Sequence, residues 1–251
     1  MGKRTIRFSR ESFAHRPALD TAISRALLHN VASGIEPETL RLHRTASVVA
    51  FSRQDSKSAG YYQAIESAQN QDFGAIQRLV GGRAAVFHEN TMAFAWTIPD
   101  QEPRKSIRER FEEISTLIAN SLLSLGVDAR VGEIPGEYCP GSCSVNARGL
   151  KKLMGVGQRL IPRASHIGGV LVIKGSDRVR NVLVPVYEHL GFRWKKETAG
   201  SIEDEIGTIH YEDVERAIIE AFKEKFEIEE GCLANSTKEL AIRLEPEHLI
   251  T

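Results

Sequence analysis

The chain has 251 residues, enough to bury a sizeable core as one large domain or as one domain with a small appendage. Its 33 basic and 33 acidic side chains cancel, so no basic excess is available to neutralise phosphates and a nucleic-acid partner is not expected. The 41% apolar and 26% charged residues are those of an ordinary soluble protein, the three cysteines point to a reducing compartment, and no run of eighteen apolar residues occurs, so the expectation is a cytoplasmic monomer off the membrane.

Taken in order, Thr5 to Phe8 reads as a short strand. Pro17 opens a helix carrying Leu19, Ile23, Ala26 and Leu27 at helical spacing, and Gly34 ends it. Thr39 to His43 and Ser47 to Phe51 read as strands, and Tyr61 to Ala68 as a helix. Arg78-Leu79-Val80-Gly81-Gly82-Arg83-Ala84-Ala85-Val86-Phe87-His88 follows. Its glycine pair permits a sharp turn and a close backbone approach that offers N–H donors to a ligand oxygen, although Gly-Gly also makes plain hairpin turns. Thr91 to Ile98 is a further strand. From Ser106 an amphipathic helix places Phe111, Ile114, Ile118 and Leu122 on one stripe. Val127 to Val131, Leu150 to Leu160 and His166 to Ile173 read as strands, Asp177 to Val184 as a short capped segment, and Ile202 to Ile206 and Tyr211 to Phe226 as helices. Beyond Gly231 the chain reads as a loosely attached tail, which divides it into residues 1–231 and a tail 232–251. Strands arriving in hairpin-like succession, with helices between groups, favour an α+β fold with mixed, largely antiparallel sheets flanked by helices.

The stretch Tyr138-Cys139-Pro140-Gly141 puts a thiol on a bend. Pro140 biases Cys139 toward an extended backbone, and Gly141 is free to take the positive φ of a tight turn. Asn146-Ala-Arg-Gly149 carries turn residues, so a hairpin would return Lys152 toward Cys139, where a cation would favour the thiolate. Lys151, on the opposite face of such a strand, would point away. Taken alone, a single cysteine is more often an inert loop thiol and a lysine pair a solvated one. Cys139 and Cys143 are spaced C-x3-C without a second pair, so no metal site is expected.

Three segments carry a resemblance. Arg78-x-x-Gly81-Gly82-Arg83-Ala84-Ala85-Val86-Phe87-His88 is similar to the acyl-binding loop of the lipoate-protein ligases and octanoyltransferases, with one extra alanine. Lys152-Leu153-Met154-Gly155-Val156-Gly157-Gln158 resembles their Lys-x-x-Gly-x-Ala-Gln strand, with glycine in place of alanine at 157. Tyr138-Cys139-Pro140-Gly141 resembles the nucleophile loop of the cysteine-dependent octanoyltransferases and amidotransferases. The resemblance implies the biotin/lipoate protein ligase catalytic fold, with Cys139 as nucleophile and Lys152 beside it. It further implies acyl contacts from Arg78, Gly81, Gly82, Arg83, Ala84, Val86, His88, Gly155 and Gln158, and Val86, Phe87, Val156 and Val170 as tunnel walls. His166 and Gly168 read as structural. The acceptor it implies is a lipoyl domain, such as glycine cleavage H protein or a 2-oxoacid dehydrogenase E2. The donor is acyl carrier protein or a lipoylated protein, and the octanoyl or lipoyl group is substrate. No cofactor is required. ATP and magnesium enter only if the chain is instead an ATP-dependent ligase of the same fold, and a non-catalytic acyl or lipoyl-domain binder is the third reading.

Overall fold

The computed structural model describes residues 2–250. In chain order the strands and helices are β1 (Arg4–Ser9), α1 (Pro17–Ala32), β2 (Thr39–His43), β3 (Val48–Phe51), α2 (Tyr61–Gln69), β4 (Gly74–Gln77), β5 (Ala85–Phe87), β6 (Thr91–Pro99) and α3 (Ile107–Ser124). They continue with β7 (Ala129–Val131), β8 (Val145–Ala147), β9 (Lys151–Ile161), β10 (Ala164–Val172), α4 (Ser176–His189), α5 (Ile202–Ile206), α6 (Tyr211–Lys225), β11 (Phe226–Glu230) and α7 (Asn235–Leu244).

An eight-stranded sheet runs β11-β1-β2-β6-β10-β9-β8-β7, and a three-stranded sheet runs β4-β3-β5. The first two pairings of the large sheet and the β3–β4 pair are parallel; the other pairings are antiparallel. This is the α+β, mixed and largely antiparallel architecture expected of the sequence. One face of the large sheet, with Leu40, Phe94 and Trp96, packs against α3 and α6 through Ile118, Leu122 and Phe222. Alternation divides the small sheet in the same way: Val49 and Phe51 face α2 and α4, whereas Val48 and Ala50 pack with Ala18 of α1. Helix α1 therefore serves both sheets. It is pinned to β2 by Arg41, which is 0% exposed and donates to Asp20 Oδ1 (2.7 Å), Ser24 Oγ (3.2 Å) and the Glu11 carbonyl (2.8 Å).

Several local expectations are corrected. Strand β4 carries no signal in the sequence, because Gly-Ala-Ile-Gln has neither length nor alternation. The segment after Asp177 continues as helix to His189, through Pro185. The chain leaves α6 at Phe226 to form β11, parallel to β1. The C-terminal segment is not a loose tail: Leu233 (3% exposed) and Ala241 (0%) lie in one apolar cluster with Leu19, Ile23 and Leu27 of α1. Asn30 also donates to Thr237 Oγ1 at 2.8 Å. Among the described residues no helix is long and apolar enough to cross a membrane.

Docking of α7 on α1 is tested by Ala241→Asp, which buries a carboxylate in that seam. A loss of more than about 2 kcal/mol in urea unfolding is expected, whereas a loose tail would respond within about 0.5 kcal/mol.

Candidate functional site

Two segments far apart in sequence meet at one sulfur. The glycine-rich loop leaves β4 and turns at Gly82, whose φ of +109° belongs to the left-handed half of backbone space. A Cβ at Gly82 would stand 2.9 Å from Cys139 Sγ and 3.3 Å from an Arg78 guanidinium nitrogen, so only glycine fits. The next residue, Arg83, donates its backbone N–H to Cys139 Sγ at 3.1 Å. Arg78 closes the turn by donating to the Arg83 carbonyl. The Arg83 guanidinium lies 3.8 Å over the Phe192 ring and 3.9 Å from the buried Asp55 carboxylate, whose pKa burial raises despite the two arginines near it. Gly81 leads nowhere crowded, as a Cβ there would meet nothing within 4 Å.

The thiol's own loop departs from expectation. The positive φ falls on Cys139 itself, at +43°, not on Gly141. A non-glycine residue holds that conformation only where its surroundings over-determine it. Tyr138 and Trp194 pack edge to face at 5.6 Å beneath the loop, and Lys195 N donates to the Gly136 carbonyl at 2.8 Å.

The hairpin from β8 to β9 does return Lys152 to this loop. Arg148 and Gly149 both take positive φ in its turn, and Lys152 is 1% exposed while Lys151 is half-buried and donates to the Glu197 carbonyl. Lys152 does not, however, spend a hydrogen on the sulfur. Its ammonium donates to the Cys139 carbonyl (2.7 Å), the Tyr138 carbonyl (3.0 Å) and Glu137 Oε1 (2.9 Å). An ammonium has three hydrogens, and all are used. Gly155 gives the lysine chain room, since a Cβ there would stand 3.3 Å from Lys152 Cε. Glu137, 3% exposed, was missed in the sequence because one acid beside a turn has no spacing that marks it.

A pocket of ≈ 90 Å³ opens at the junction of α1 with the two sheets. Its walls include Val48, Ile76 and Phe87 from the small sheet, Phe94 from β6, Gly168 and Gly169 from β10, and Arg78, Leu79 and Val80 from the glycine-rich loop. Close approach needs glycine here twice. A Cβ at Gly169 would lie 2.0 Å from the Gly155 carbonyl oxygen, and one at Gly157 2.9 Å from Val80 Cγ2. Glycine in place of alanine at 157 thus lets the glycine-rich loop lie directly on β9.

The expected site residues divide accordingly. Arg78, Gly82 and Arg83 stand with Cys139, while Lys152 and Gly155 stand under its loop. Phe87 lines the pocket, but Val86, one residue away, faces α2 and α4, and neither Val156 nor Val170 lines it. Ala84 is buried with its carbonyl accepting from the Tyr187 hydroxyl at 2.9 Å. Gln158 is turned to α3, accepting from Arg110 Nε (3.1 Å) and donating to the Ile107 carbonyl (2.8 Å). His88 is fully buried against Gly175 at the start of α4. Neither Gln158 nor His88 lines the pocket.

The polar end of the pocket was not anticipated. Asp20, Ser24, His43, Thr45 and His166 line it. Burial alone would raise the Asp20 pKa, but His43 and Arg41 beside it pull it well below the carboxylate range. Burial, with Arg41 second, holds His166 down at about 3, so it is neutral and accepts from or donates to Thr97 Oγ1 at 3.1 Å. Among the described residues no group of three or more His, Cys, Asp or Glu is disposed to hold a metal ion.

A model of the lipoyl protein ligase A/B catalytic domain matches residues 16–223. Similar curated proteins include an octanoyl-[GcvH]:protein N-octanoyltransferase of Geobacillus kaustophilus, 27% identical over 70% of this chain and 62% of that protein. Another is a lipoyl-[GcvH]:protein N-lipoyltransferase of Listeria monocytogenes, 28% identical over 67% of this chain and 62% of that protein. The chain thus spans less than two thirds of the length of these relatives. A crystal structure of lipoate-protein ligase A bound with ATP superimposes with a TM-score of 0.75, covering 98% of this chain and 95% of that one at 18% identity. A bipartite lipoate protein ligase from Thermoplasma acidophilum gives 0.72 over 98% and 93%, at 17% identity. These likenesses establish the fold.

Two outcomes follow from the geometry. Gly82→Ala should cost more than about 1 kcal/mol in urea unfolding, because a methyl must displace the sulfur and alanine disfavours the positive φ, whereas Gly81→Ala should stay within about 0.5 kcal/mol of wild type. His166 and His88, with folded values of about 3 and about 4 against an ordinary 6.5, favour the folded state above pH 6.5. Their contribution should drain away as pH falls from about 6.5 toward 3, and His166→Gln should flatten the slope of unfolding free energy across that window.

Proposed function

Because this chain belongs to the family of the lipoyl protein ligase A/B catalytic domain, we propose that it is an acyltransferase that moves an octanoyl or lipoyl group onto the target lysine of a lipoyl domain through a thioester on Cys139. The observation that carries the reading is the placement of Cys139 Sγ on the Arg83 N–H and against Gly82, on the loop whose preceding residues, Arg78 to Val80, wall the pocket. An acyl chain lying in that pocket brings its carbonyl to the glycine-rich loop.

In the first step Sγ attacks the acyl carbonyl. The carbon–sulfur bond forms, the bond to the donor breaks, and the donor leaves with the thiol proton. In the second the acceptor's lysine amine attacks the thioester, the carbon–nitrogen bond forms, and sulfur leaves and regains a proton from the amine. Splitting the transfer keeps the acyl group activated, so no nucleotide enters. The backbone N–H groups around Gly82 and Arg83 are the candidate donors to the carbonyl oxygen as it gains charge. Lys152 holds the carbonyls of residues 138 and 139, and so acts on the thiol through its loop. The relatives' names, octanoyl- and lipoyl-[GcvH]:protein transferases, support both the acyl group and a lipoyl-bearing protein partner, with acyl carrier protein or an acylated protein as donor.

The test is intact mass and turnover with octanoyl-acyl carrier protein and a lipoyl-domain acceptor. Wild type should gain an octanoyl adduct on Cys139 and pass it on with ATP removed by apyrase. Cys139→Ser should abolish transfer, and Cys143→Ser and Cys232→Ser should keep most of it. Near-normal turnover in Cys139→Ser would end the thioester mechanism, and strict ATP dependence with free octanoate would make the chain a ligase.

A further inference from the structure

Glu137 lies outside every motif, yet its carboxylate is the most heavily used acceptor near the thiol. Oε1 accepts from Lys152 Nζ (2.9 Å), Ser144 Oγ (2.7 Å) and the Gly141 N–H (3.1 Å), and Oε2 accepts from the Ile134 N–H (3.2 Å). The Glu137 and Lys152 side chains are 0% and 1% exposed. The pair brackets the strained residue. Lys152 holds the carbonyls of 138 and 139 on one side of the bend, and Glu137 holds the N–H of 141 on the other. Cys139 keeps its φ of +43° because both flanks are tied to one ion pair. Resting on the acyl-transfer reading above, we propose that Glu137 is a positioning residue for that transfer: together with Lys152 it clamps the loop from Ile134 to Ser144, so that Cys139 Sγ is held on the Arg83 N–H.

A counter-ion for a lysine that itself touches substrate would behave differently. So would an acid that merely supports the fold. If Lys152 acted directly on the acyl carbonyl, removing it would cost more than removing Glu137, and the two losses would compound. If Glu137 only stabilised the fold, the folded fraction would fall while each folded molecule worked normally. If the two form one clamp, either loss opens it, and the second loss adds little.

The measurements are made on Glu137→Gln, Lys152→Met and the double variant Glu137→Gln/Lys152→Met, so that the double combines the two singles. Each carries Cys143→Ser and Cys232→Ser, so that only Cys139 reports. Single-turnover acylation by a small octanoyl thioester is followed by intact mass and normalised to the folded fraction from near-ultraviolet circular dichroism. Steady-state kcat and KM are measured beside it. The expected result is a fall of tenfold or more in the acylation rate and kcat for each single variant, with KM within about threefold of wild type and the double no slower than the slower single. Wild-type acylation per folded molecule in Glu137→Gln overturns the proposal, and so does a double variant in which the two losses multiply. Should Glu137→Gln fail to fold, Ser144→Ala, which removes one hydrogen bond to the carboxylate and leaves the charges paired, carries the test. It should slow acylation per folded molecule severalfold, and an unchanged rate there also overturns the clamp. Failure of the parent reading is separate, since it would appear as transfer surviving in Cys139→Ser.

Discussion

One steric fact organises the site: the space a side chain would occupy at residue 82 is filled by the sulfur of residue 139. The two loops are brought together by different sheets, the glycine-rich loop by β4 and β5 and the thiol loop by β7 and β8. Their meeting therefore reports on how the two sheets pack. Helix α1 sets that packing, because its faces serve both sheets and the buried Arg41–Asp20 pair fixes it on β2. Such a pair returns little net stability once desolvation is counted, but breaking it would leave a charge with no partner. Its consequence here is geometric. A fixed α1 leaves a pocket between the sheets whose wall continues into the loop that ends at the thiol.

The polar side chains at that pocket follow from the same arrangement. Arg41 must enter the core to reach α1, and Asp20 must follow to balance it, which brings Ser24 within reach of Arg41 and His43 within reach of Asp20. His166, held neutral by burial and met by Thr97, adds no charge to this end. The pocket thus places apolar walls near the glycine-rich loop and a cluster of polar groups on α1 and on or beside β2 and β10. In the proposed transfer an alkyl chain meets the former.

Much of the architecture was legible in the sequence because its elements carry period. The alternation of Thr39 to His43 and the helical stripe of Ile114, Ile118 and Leu122 lie where periodicity puts them, whereas the half-buried Phe111 stays outside that core. What was not legible lacked a repeating signal. Strand β4 is four residues long, and α7 opens on five polar residues before Leu240, Ala241, Ile242 and Leu244, so a helix completed by docking on α1 reads as a tail. At the site, glycines and prolines marked the bends but not which residue takes the unusual φ. Pro140 keeps Cys139 out of the right-handed helical region, and an extended backbone is only one way to satisfy that; the left-handed region, reached here, is another. Gln158 and His88 sit inside recognisable motifs, yet a motif fixes their place in a strand and not the element their side chains meet.

The role of Lys152 is where sequence and structure diverge most usefully. Spacing alone suggests a cation beside a thiol, which would act through its charge. The structure gives each of its three hydrogens to an oxygen, two of them main-chain carbonyls of the thiol's own loop. A charge acting at a distance weakens gradually as it is moved, whereas a clamp depends on hydrogen-bond geometry and fails when one bond is lost. Lysine suits this task because its ammonium offers three hydrogens on a stem long enough to reach from β9 to the thiol's loop, and Gly155 leaves the stem its path. Glu137 completes it, since three donors converging in a dry interior also concentrate a positive charge that two neutral carbonyls cannot balance. The strained cysteine, the buried lysine and the carboxylate are in this sense one structural unit, and the glycine-rich loop is the surface against which that unit presents its sulfur.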